Sequence, residues 1–185
     1  MIDETLAEAE RRMKNAVSVL QRELDSIRTG RARPALVEQL KVDYYDSTLP
    51  LNQLATITAP EPRLITIQPW DRQALGAIEK AIQKSDLGLN PINDGHSIRL
   101  AIPQLTEERR RELVKVVHKK VEEGRVAVRN VRRHSIEEIR LLDKEKKVSE
   151  DEDRRAQEQL QKLTDRYIQD IDKLGKEKEA ELLEI

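Results

Sequence analysis

The sequence predicts an α+β protein: an elongated antiparallel three-helix bundle into which a small β/α/β domain is inserted. Three segments of the 185-residue chain carry apolar side chains at spacings of three and four residues. The stretch 31–104 instead alternates apolar and polar positions between prolines. Charged residues make up 37% of the chain and aromatic residues only 2%, a balance typical of long solvent-exposed helices with a narrow apolar seam.

The first predicted helix follows the N-terminus, with Asp3 as its expected N-cap. Apolar side chains recur along this segment so that they share one face of a helix. A helix cannot bury such a face alone, so the segment needs partner helices. The stripe consists of Leu6, Ala9, Met13, Ala16, Leu20, Leu24 and Ile27.

The stretch 31–104 has the pattern of a small β/α/β domain. Short runs of β-branched or alternating residues predict strands, and the prolines between them mark turns. Alternation along a strand should place one ring of the pair Tyr44-Tyr45 in the core and the other on the surface. The predicted strands are Glu38–Tyr45, Gln53–Ala59, Arg63–Gln68 and the alternation Ile98, Leu100, Ile102, and the helix is marked by Leu75, Ile78 and Ile82, ending near Asp86-Leu87-Gly88.

The second and third predicted helices follow this domain. The second begins after Pro103, with Thr106 as N-cap and two glutamates in the first turn. The third begins at Ser149-Glu150-Asp151-Glu152, which fits the capping box. Their apolar stripes are Leu113, Val117, Val121, Gly124, Val128, Val131, Ser135, Ile139 and Leu142 in the second helix, and Ala156, Leu160, Leu163, Tyr167, Ile171 and Leu174 in the third.

The chain order then predicts two domains. Residues 1–30 and 105–185 would form the bundle, and residues 31–104 the inserted domain. The chain crosses between them twice, and paired crossings that contain Gly and Pro favour bending. The candidate hinge residues are therefore Thr29, Gly30, Gln104 and Leu105.

Several classes of function lack support in the sequence. The chain has no Cys, which excludes disulfides, thiol catalysis and cysteine-ligated metals, and its six glycines form no nucleotide-binding motif. His118 and Glu122 share a helix face, but two ligands without a third are typical of a solvated pair. We therefore expect no enzyme, no catalytic residue, no metal and no cofactor. No apolar run approaches the ~20 residues of a membrane span and the N-terminus is acidic, so we expect a cytoplasmic protein that contacts no membrane.

Charge is polarised along the chain although the net charge is only −1. Residues 105–140 carry 11 basic and 7 acidic side chains, whereas residues 141–185 carry 10 basic and 14 acidic ones. A second basic group, Arg28, Arg31 and Arg33, lies near the first crossing. The basic stripe of the second helix recurs every three or four residues beside the apolar stripe and consists of Arg111, Lys115, His118, Arg125, Arg129 and Arg132, with Arg133 adjoining.

Two interpretations of this basic stripe are open. A charged helix face is commonly solvated and can pair with an acidic neighbour, here the third helix. Against this, the segment 128–133 contains no acidic residue to neutralise its arginines, and the planar guanidinium of Arg suits phosphate oxygens better than Lys does. Binding to an RNA backbone is therefore the sharper hypothesis, without base stacking, since aromatic residues are scarce. A helical chaperone or adaptor with an incidental basic face is the alternative.

Five segments in order resemble the bacterial ribosome recycling factor family. They are Arg28–Pro34, Pro50–Ala55, Ser85–Pro91, Leu105–Arg110 and Val128–Arg133. One of them alone is a weak motif, whereas five at this spacing over essentially the whole chain are specific. The resemblance implies a three-helix bundle that carries a mobile β/α/β domain, with an overall outline like that of a tRNA.

The resemblance also implies a function and its residues. Such a translation factor binds the post-termination ribosome and, with elongation factor G and GTP hydrolysis, splits the subunits; we expect a monomer in solution. The sequence departs from the family pattern at Arg33, where a small residue is usual, and at Asp46, where Gly is usual. By position, the contacts to large-subunit rRNA would be Arg28, Arg31, Arg129, Arg132 and Arg133.

Overall fold

The computed structural model describes residues 1–184 of the chain. They form two compact units, one made of Met1–Ile27 and the chain from Arg110 onward, the other of Arg28–Arg109. The architecture is α+β, as predicted. The helices and strands in chain order are α1 (Ile2–Asp25), β1 (Lys41–Tyr44), β2 (Ser47–Pro50), β3 (Ala55–Glu61), β4 (Leu64–Pro69), α2 (Leu75–Lys84), β5 (Pro91–Asn93), β6 (Ile98–Ala101), α3 (Glu107–Lys144) and α4 (Glu150–Leu183).

The borders of the inserted unit lie a few residues outside the predicted range 31–104. Arg28 belongs to this unit, because its Nη1 donates a hydrogen bond to the carbonyl oxygen of Leu87 at 3.0 Å. Gly30 has a φ of +81°, and a Cβ built on it would lie 3.5 Å from Cγ of Leu105, so the two crossings pack against each other. The candidate hinge residues fall inside this unit, one to five residues from its ends: Thr29, Gly30, Gln104 and Leu105.

Two of the three predicted N-caps are confirmed. Oγ1 of Thr106 accepts a hydrogen bond from the backbone N–H of Arg109, and Oγ of Ser149 accepts one from that of Glu152, both at 3.1 Å. Each bond satisfies one of the N–H groups that the first turn of a helix leaves free.

The prediction that Asp3 caps α1 is wrong. The helix begins earlier, because the N–H of Thr5 already bonds the carbonyl oxygen of Met1 at 3.2 Å, which makes Met1 the N-cap. Asp3 lies in the first turn instead, where its negative charge is favourable beside the positive end of the helix dipole.

The three long helices bury most of the apolar stripes predicted for α1 and α3, although Leu6, Ala16, Ile27, Gly124, Val131 and Leu142 are only half-buried. Met13, Leu20, Val117, Val128 and Ile139 are at most 2% exposed. On α4 the prediction is correct at Ala156, Leu160, Tyr167 and Ile171, whereas the buried face continues through residues without an apolar signal. Leu163 and Leu174 are only half-buried, and Thr164, Gly175 and Lys178 are buried in their place.

The inserted unit is built from two antiparallel sheets. The strands β3, β4, β6 and β5 form a four-stranded sheet in that order, and β1 and β2 form a separate hairpin. The side chains of α2, such as Ile78 and Ile82, complete one core with Val42, Ile65 and Leu100. The sequence did not predict β2 or β5, each of which has a proline at one end, and the predicted strand Glu38–Tyr45 shortens to β1.

The paired tyrosines occupy the two environments that the sequence predicts. Tyr44 packs on the core and donates its hydroxyl to Oδ2 of Asp71 at 2.6 Å, whereas Tyr45 is 73% exposed. The hydrogen bond to Asp71 raises the pKa of Tyr44 to about 12. In the turn that follows, Tyr45 has a φ of +53° and Asp46 has no positive φ, so position 46 does not require glycine.

Candidate nucleic-acid interface

A basic groove lies between α3 and α4 in the helical unit. It has a volume of about 790 Å³ and is open to solvent. Its lining includes four arginines of α3 but only two carboxylates, Glu137 and Asp165, so the groove carries a net positive charge. These arginines are Arg129, Arg132, Arg133 and Arg140, and they are called the groove arginines below.

Arg132 is the most constrained groove arginine. Its side chain is half-buried, and its Nη1 donates a hydrogen bond to Oε1 of Gln161 on α4 at 2.6 Å. Gln161 in turn donates to Oδ1 of Asp165 at 2.9 Å. The Nε of Arg132 is buried and has no hydrogen-bond partner within residues 1–184. Its guanidinium is thus held in place while part of its donor capacity is unused, as binding of an acceptor such as a phosphate oxygen would require.

The neighbouring groove arginines are more exposed. Nη1 of Arg129 lies 3.5 Å from Oε1 of Glu122, a pair in which both side chains are about half exposed. Nη2 of Arg133 donates to Oδ1 of Asn130 at 2.5 Å, a bond that leaves its charge uncompensated. The weak surface ion pair of Arg129 and the hydrogen bond of Arg133 to an amide oxygen leave both guanidinium groups able to contact an anion.

The basic stripe divides into two halves with different surroundings. Toward the start of α3, Arg125 bonds Glu122 on its own helix and Asp172 on α4, and these bonds raise its pKa. His118 lies 3.1 Å from Glu179. Pairing with the acidic third helix therefore describes Arg125 and His118. Segment 128–133 contains no acidic residue of its own, but Arg129 reaches back two turns to Glu122.

The predicted rRNA contacts are divided between the two compact units. Arg129, Arg132 and Arg133 share the groove, whereas Arg28 and Arg31 belong to the inserted unit. Arg31 is exposed, and Arg28 is half-buried with Nη1 bonded to a backbone carbonyl, which gives Arg28 a structural role in its own unit.

Sequence reasoning missed two residues of the groove. Arg140 lies seven residues after Arg133, which is about two turns of a helix and places both on the same face. Extending the basic stripe by this spacing would have found it. Gln161 lies 29 residues from Arg132, and no local pattern indicates that the two side chains meet.

The structure assembles no candidate metal site from the predicted pair. Glu122 bonds Arg125, and His118 faces Glu179 instead of Glu122. Among the described residues, no three side chains of His, Asp or Glu converge in a way that could hold a metal ion. Over the same residues, no helix is both long and apolar enough to cross a membrane.

Comparisons with known proteins agree on one family. The family model described as Ribosome recycling factor matches residues 20–183. A ribosome-recycling factor of Roseiflexus castenholzii is 59% identical over 185 residues, the whole of both chains. A solution structure of the ribosome recycling factor is 50% identical, with a TM-score of 0.82 over 100% of this chain and 98% of that one. A T. thermophilus ribosome recycling factor, from models of it and of E. coli elongation factor G bound to the E. coli post-termination complex, is also 50% identical, with a TM-score of 0.70 over all of both chains.

Proposed function

The chain belongs to the ribosome recycling factor family, and from that membership we propose that it binds the post-termination ribosome and, with elongation factor G and GTP hydrolysis, splits it into subunits. Splitting releases the ribosome from mRNA. The factor itself acts without catalysing a reaction or holding a cofactor, because its task is to occupy a site and transmit a displacement. We place this activity in the cytoplasm, where ribosomes translate.

The observation that carries the proposal is the open groove with its four arginines. Phosphate oxygens of a large-subunit rRNA backbone are the acceptors that guanidinium groups bind best. The groove is open to solvent, as binding of a nucleic-acid backbone requires, and it offers two carboxylates against four arginines. Arg132 bonds Gln161 through Nη1, so its guanidinium can donate further hydrogen bonds to a phosphate oxygen in the groove.

The division into two compact units supports a mechanical role. A structural neighbour is the ribosome recycling factor in models that also contain elongation factor G on the post-termination complex, and we extend that partner to this chain. If the helical unit holds the rRNA, the motor can act on the inserted unit, and the chain segments between the units transmit the force. The hinge role of Gly30 and Leu105 is part of this proposal.

A splitting assay tests the proposed function. Light scattering of post-termination ribosomes should fall when the protein, elongation factor G and GTP are all present, and should not fall when any one is omitted. Replacing GTP with a non-hydrolysable analogue should abolish multiple turnover. No change in scattering with all three components would overturn the proposal.

The alternative of a chaperone or adaptor with an incidental basic face makes a different prediction. Binding through the groove arginines releases counterions from the rRNA, so the affinity for ribosomes should fall steeply as salt is raised. An adaptor that binds proteins through apolar contacts would bind almost equally well at low and high salt.

A further inference from the structure

A second groove lies in the inserted unit, between α2 and the strand β1. It has a volume of about 860 Å³ and is open to solvent. One wall is formed by residues 39–41 and Asp43, and the other by residues of α2 from Gly76 to Lys84. No residue of this groove belongs to the α3–α4 interface proposed above.

The strand wall of this groove is an open sheet edge. Within the described residues β1 pairs only with β2, with Tyr44 opposite Ser47 across a two-residue turn. Backbone bonding alternates along an antiparallel pair, so Val42 and Tyr44 bond β2 while Lys41 and Asp43 direct their N–H and C=O groups to the other side. Lys41 faces Pro50, which has no N–H to offer, in agreement with this alternation. Unpaired backbone groups of this kind are a template for a further strand.

The helix wall leaves room for a strand. Gly76, Ala77 and Ala81 line it, and a Cβ added to Gly76 would meet no atom within 4 Å. Small side chains on a helix beside a free strand edge are what an extended peptide needs in order to lie between the two.

The charges around the groove favour an acidic occupant. Lys41, Lys80 and Lys84 are exposed and take part in no ion pair among the described residues. Of the two carboxylates in the lining, Asp43 already accepts a hydrogen bond from Thr48 at 3.0 Å. A second copy of this chain paired edge to edge would bring three more lysines against these, so like charges oppose that occupant.

We propose that the groove between β1 and α2 binds an extended acidic segment of a partner protein, which adds to β1 as a third strand. Its backbone bonds the N–H and C=O groups of Lys41 and Asp43, and its carboxylates lie over the lysines of α2. This site is independent of rRNA binding by the groove arginines.

A peptide-binding experiment tests the backbone part of this proposal. The probe is a fluorescein-labelled peptide of about eight residues that alternates glutamate with valine and threonine. Its fluorescence anisotropy should rise on titration with the full-length protein, and the same peptide interrupted by prolines should not bind. Asp43→Pro removes an outward N–H and should weaken binding by about tenfold, although it also removes a negative charge. Asp43→Asn is the matched control, since it removes the same charge and keeps the N–H, and it should bind at least as tightly as the wild type.

Two further variants keep the test decisive if Asp43→Pro fails to fold. Gly76→Leu fills the groove from an exposed helix position and should weaken peptide binding about tenfold, whereas Gly76→Ala should not. Lys80→Glu combined with Lys84→Glu should abolish the preference for the acidic probe. The proposal is overturned if the acidic peptide does not bind at millimolar concentration, if it binds as well to Gly76→Leu, or if sedimentation shows that this edge instead pairs two copies of the chain.

Discussion

Replacing Arg132 by alanine should separate binding from folding. The residue makes one hydrogen bond within the protein, from Nη1 to Gln161, and leaves Nε buried without a partner in the described chain. Removing it therefore loses one side-chain bond but also removes an unsatisfied donor, and the two effects on folding oppose each other. We expect the melting temperature to change by less than about 3 °C.

The effect on ribosome binding should be much larger. A charge-assisted hydrogen bond to phosphate contributes about 1–3 kcal/mol, so the Kd of Arg132→Ala should rise by roughly 5- to 150-fold. Loss of one phosphate contact should also reduce the slope of log K against log salt by about 0.7 to 0.9.

Binding of fluorescently labelled protein to ribosomes across a salt series measures both quantities. Arg154→Ala is the matched control, because it removes the same charge from α4 at a site outside the groove, where its side chain is 71% exposed. Arg132→Lys keeps the charge but loses the planar guanidinium with its paired N–H donors, so its Kd should lie between those of the wild type and the alanine variant. Equal Kd values for Arg132→Ala and Arg154→Ala would refute the assignment, as would a large fall in melting temperature.

Three further predictions concern the scaffold. A Cβ at Gly175 would lie 2.6 Å from Cγ2 of Val121, so Gly175→Ala should lower the free energy of unfolding in urea by about 1–3 kcal/mol, and adding Val121→Ala should relieve the clash. Burial and the neighbouring carboxylate of Glu10 raise the pKa of Tyr167 to about 12, above its unfolded value. The free energy of unfolding of the wild type should therefore fall between about pH 10 and 12 relative to that of Tyr167→Phe, and an equal pH dependence in the two proteins would contradict this. Gly30→Ala strains a crossing at a φ of +81° and should slow ribosome splitting while leaving binding intact, whereas Gly95→Ala, at +88° in a surface turn, should leave both unchanged.

The sequence contains most of the information for the helical unit because helical periodicity is local. The stripe of α3 could be placed in advance, and Ser149 could be identified as a cap from the residue three positions later. The buried face of α4 could not be placed fully. At Gly175 the helix needs a small residue so that Val121 can approach, but the helical spacing also fits the adjacent Leu174, which carries the stronger apolar signal.

The strands β2 and β5 could not be predicted because their pairing is decided by tertiary contacts. β2 ends at Pro50, which lies opposite Lys41 at a position where the ladder needs no N–H. β5 begins at Pro91 and lies at the edge of its sheet, where proline is tolerated. Local propensity assigns both prolines to turns.

The candidate interface was predictable in part. The spacing of Arg129 and Arg132 beside the apolar stripe places them at the edge of the seam, and the structure finds both in the groove. Which arginines are neutralised could not be predicted, because Arg125 pairs with Asp172, a residue 47 positions away. Ion pairs between helices depend on axial register, which a charge count along the chain does not contain.

The groove remains basic although the third helix is acidic, because the acids of α4 lie elsewhere. Four of them, residues 150–153, fill its first turn, where they stabilise the helix dipole. Opposite the groove arginines α4 presents Gln161, Thr164 and Ile168, with Asp165 as its one carboxylate. A chain with a net charge of −1 can therefore keep a cationic surface.

Adding one acid at position 161 should reduce the positive charge of the groove without disturbing the fold. In Gln161→Glu, a carboxylate replaces the amide whose oxygen lies 2.6 Å from Nη1 of Arg132, so it should form an ion pair that occupies the guanidinium. The melting temperature should stay the same or rise slightly, since an exposed pair adds little stability, while the Kd for ribosomes rises about tenfold or more. Gln159→Glu makes the same charge change on an exposed side of α4 outside the groove, and should leave binding almost unchanged. If both variants weakened binding equally, net charge and not the groove would govern recognition of the ribosome.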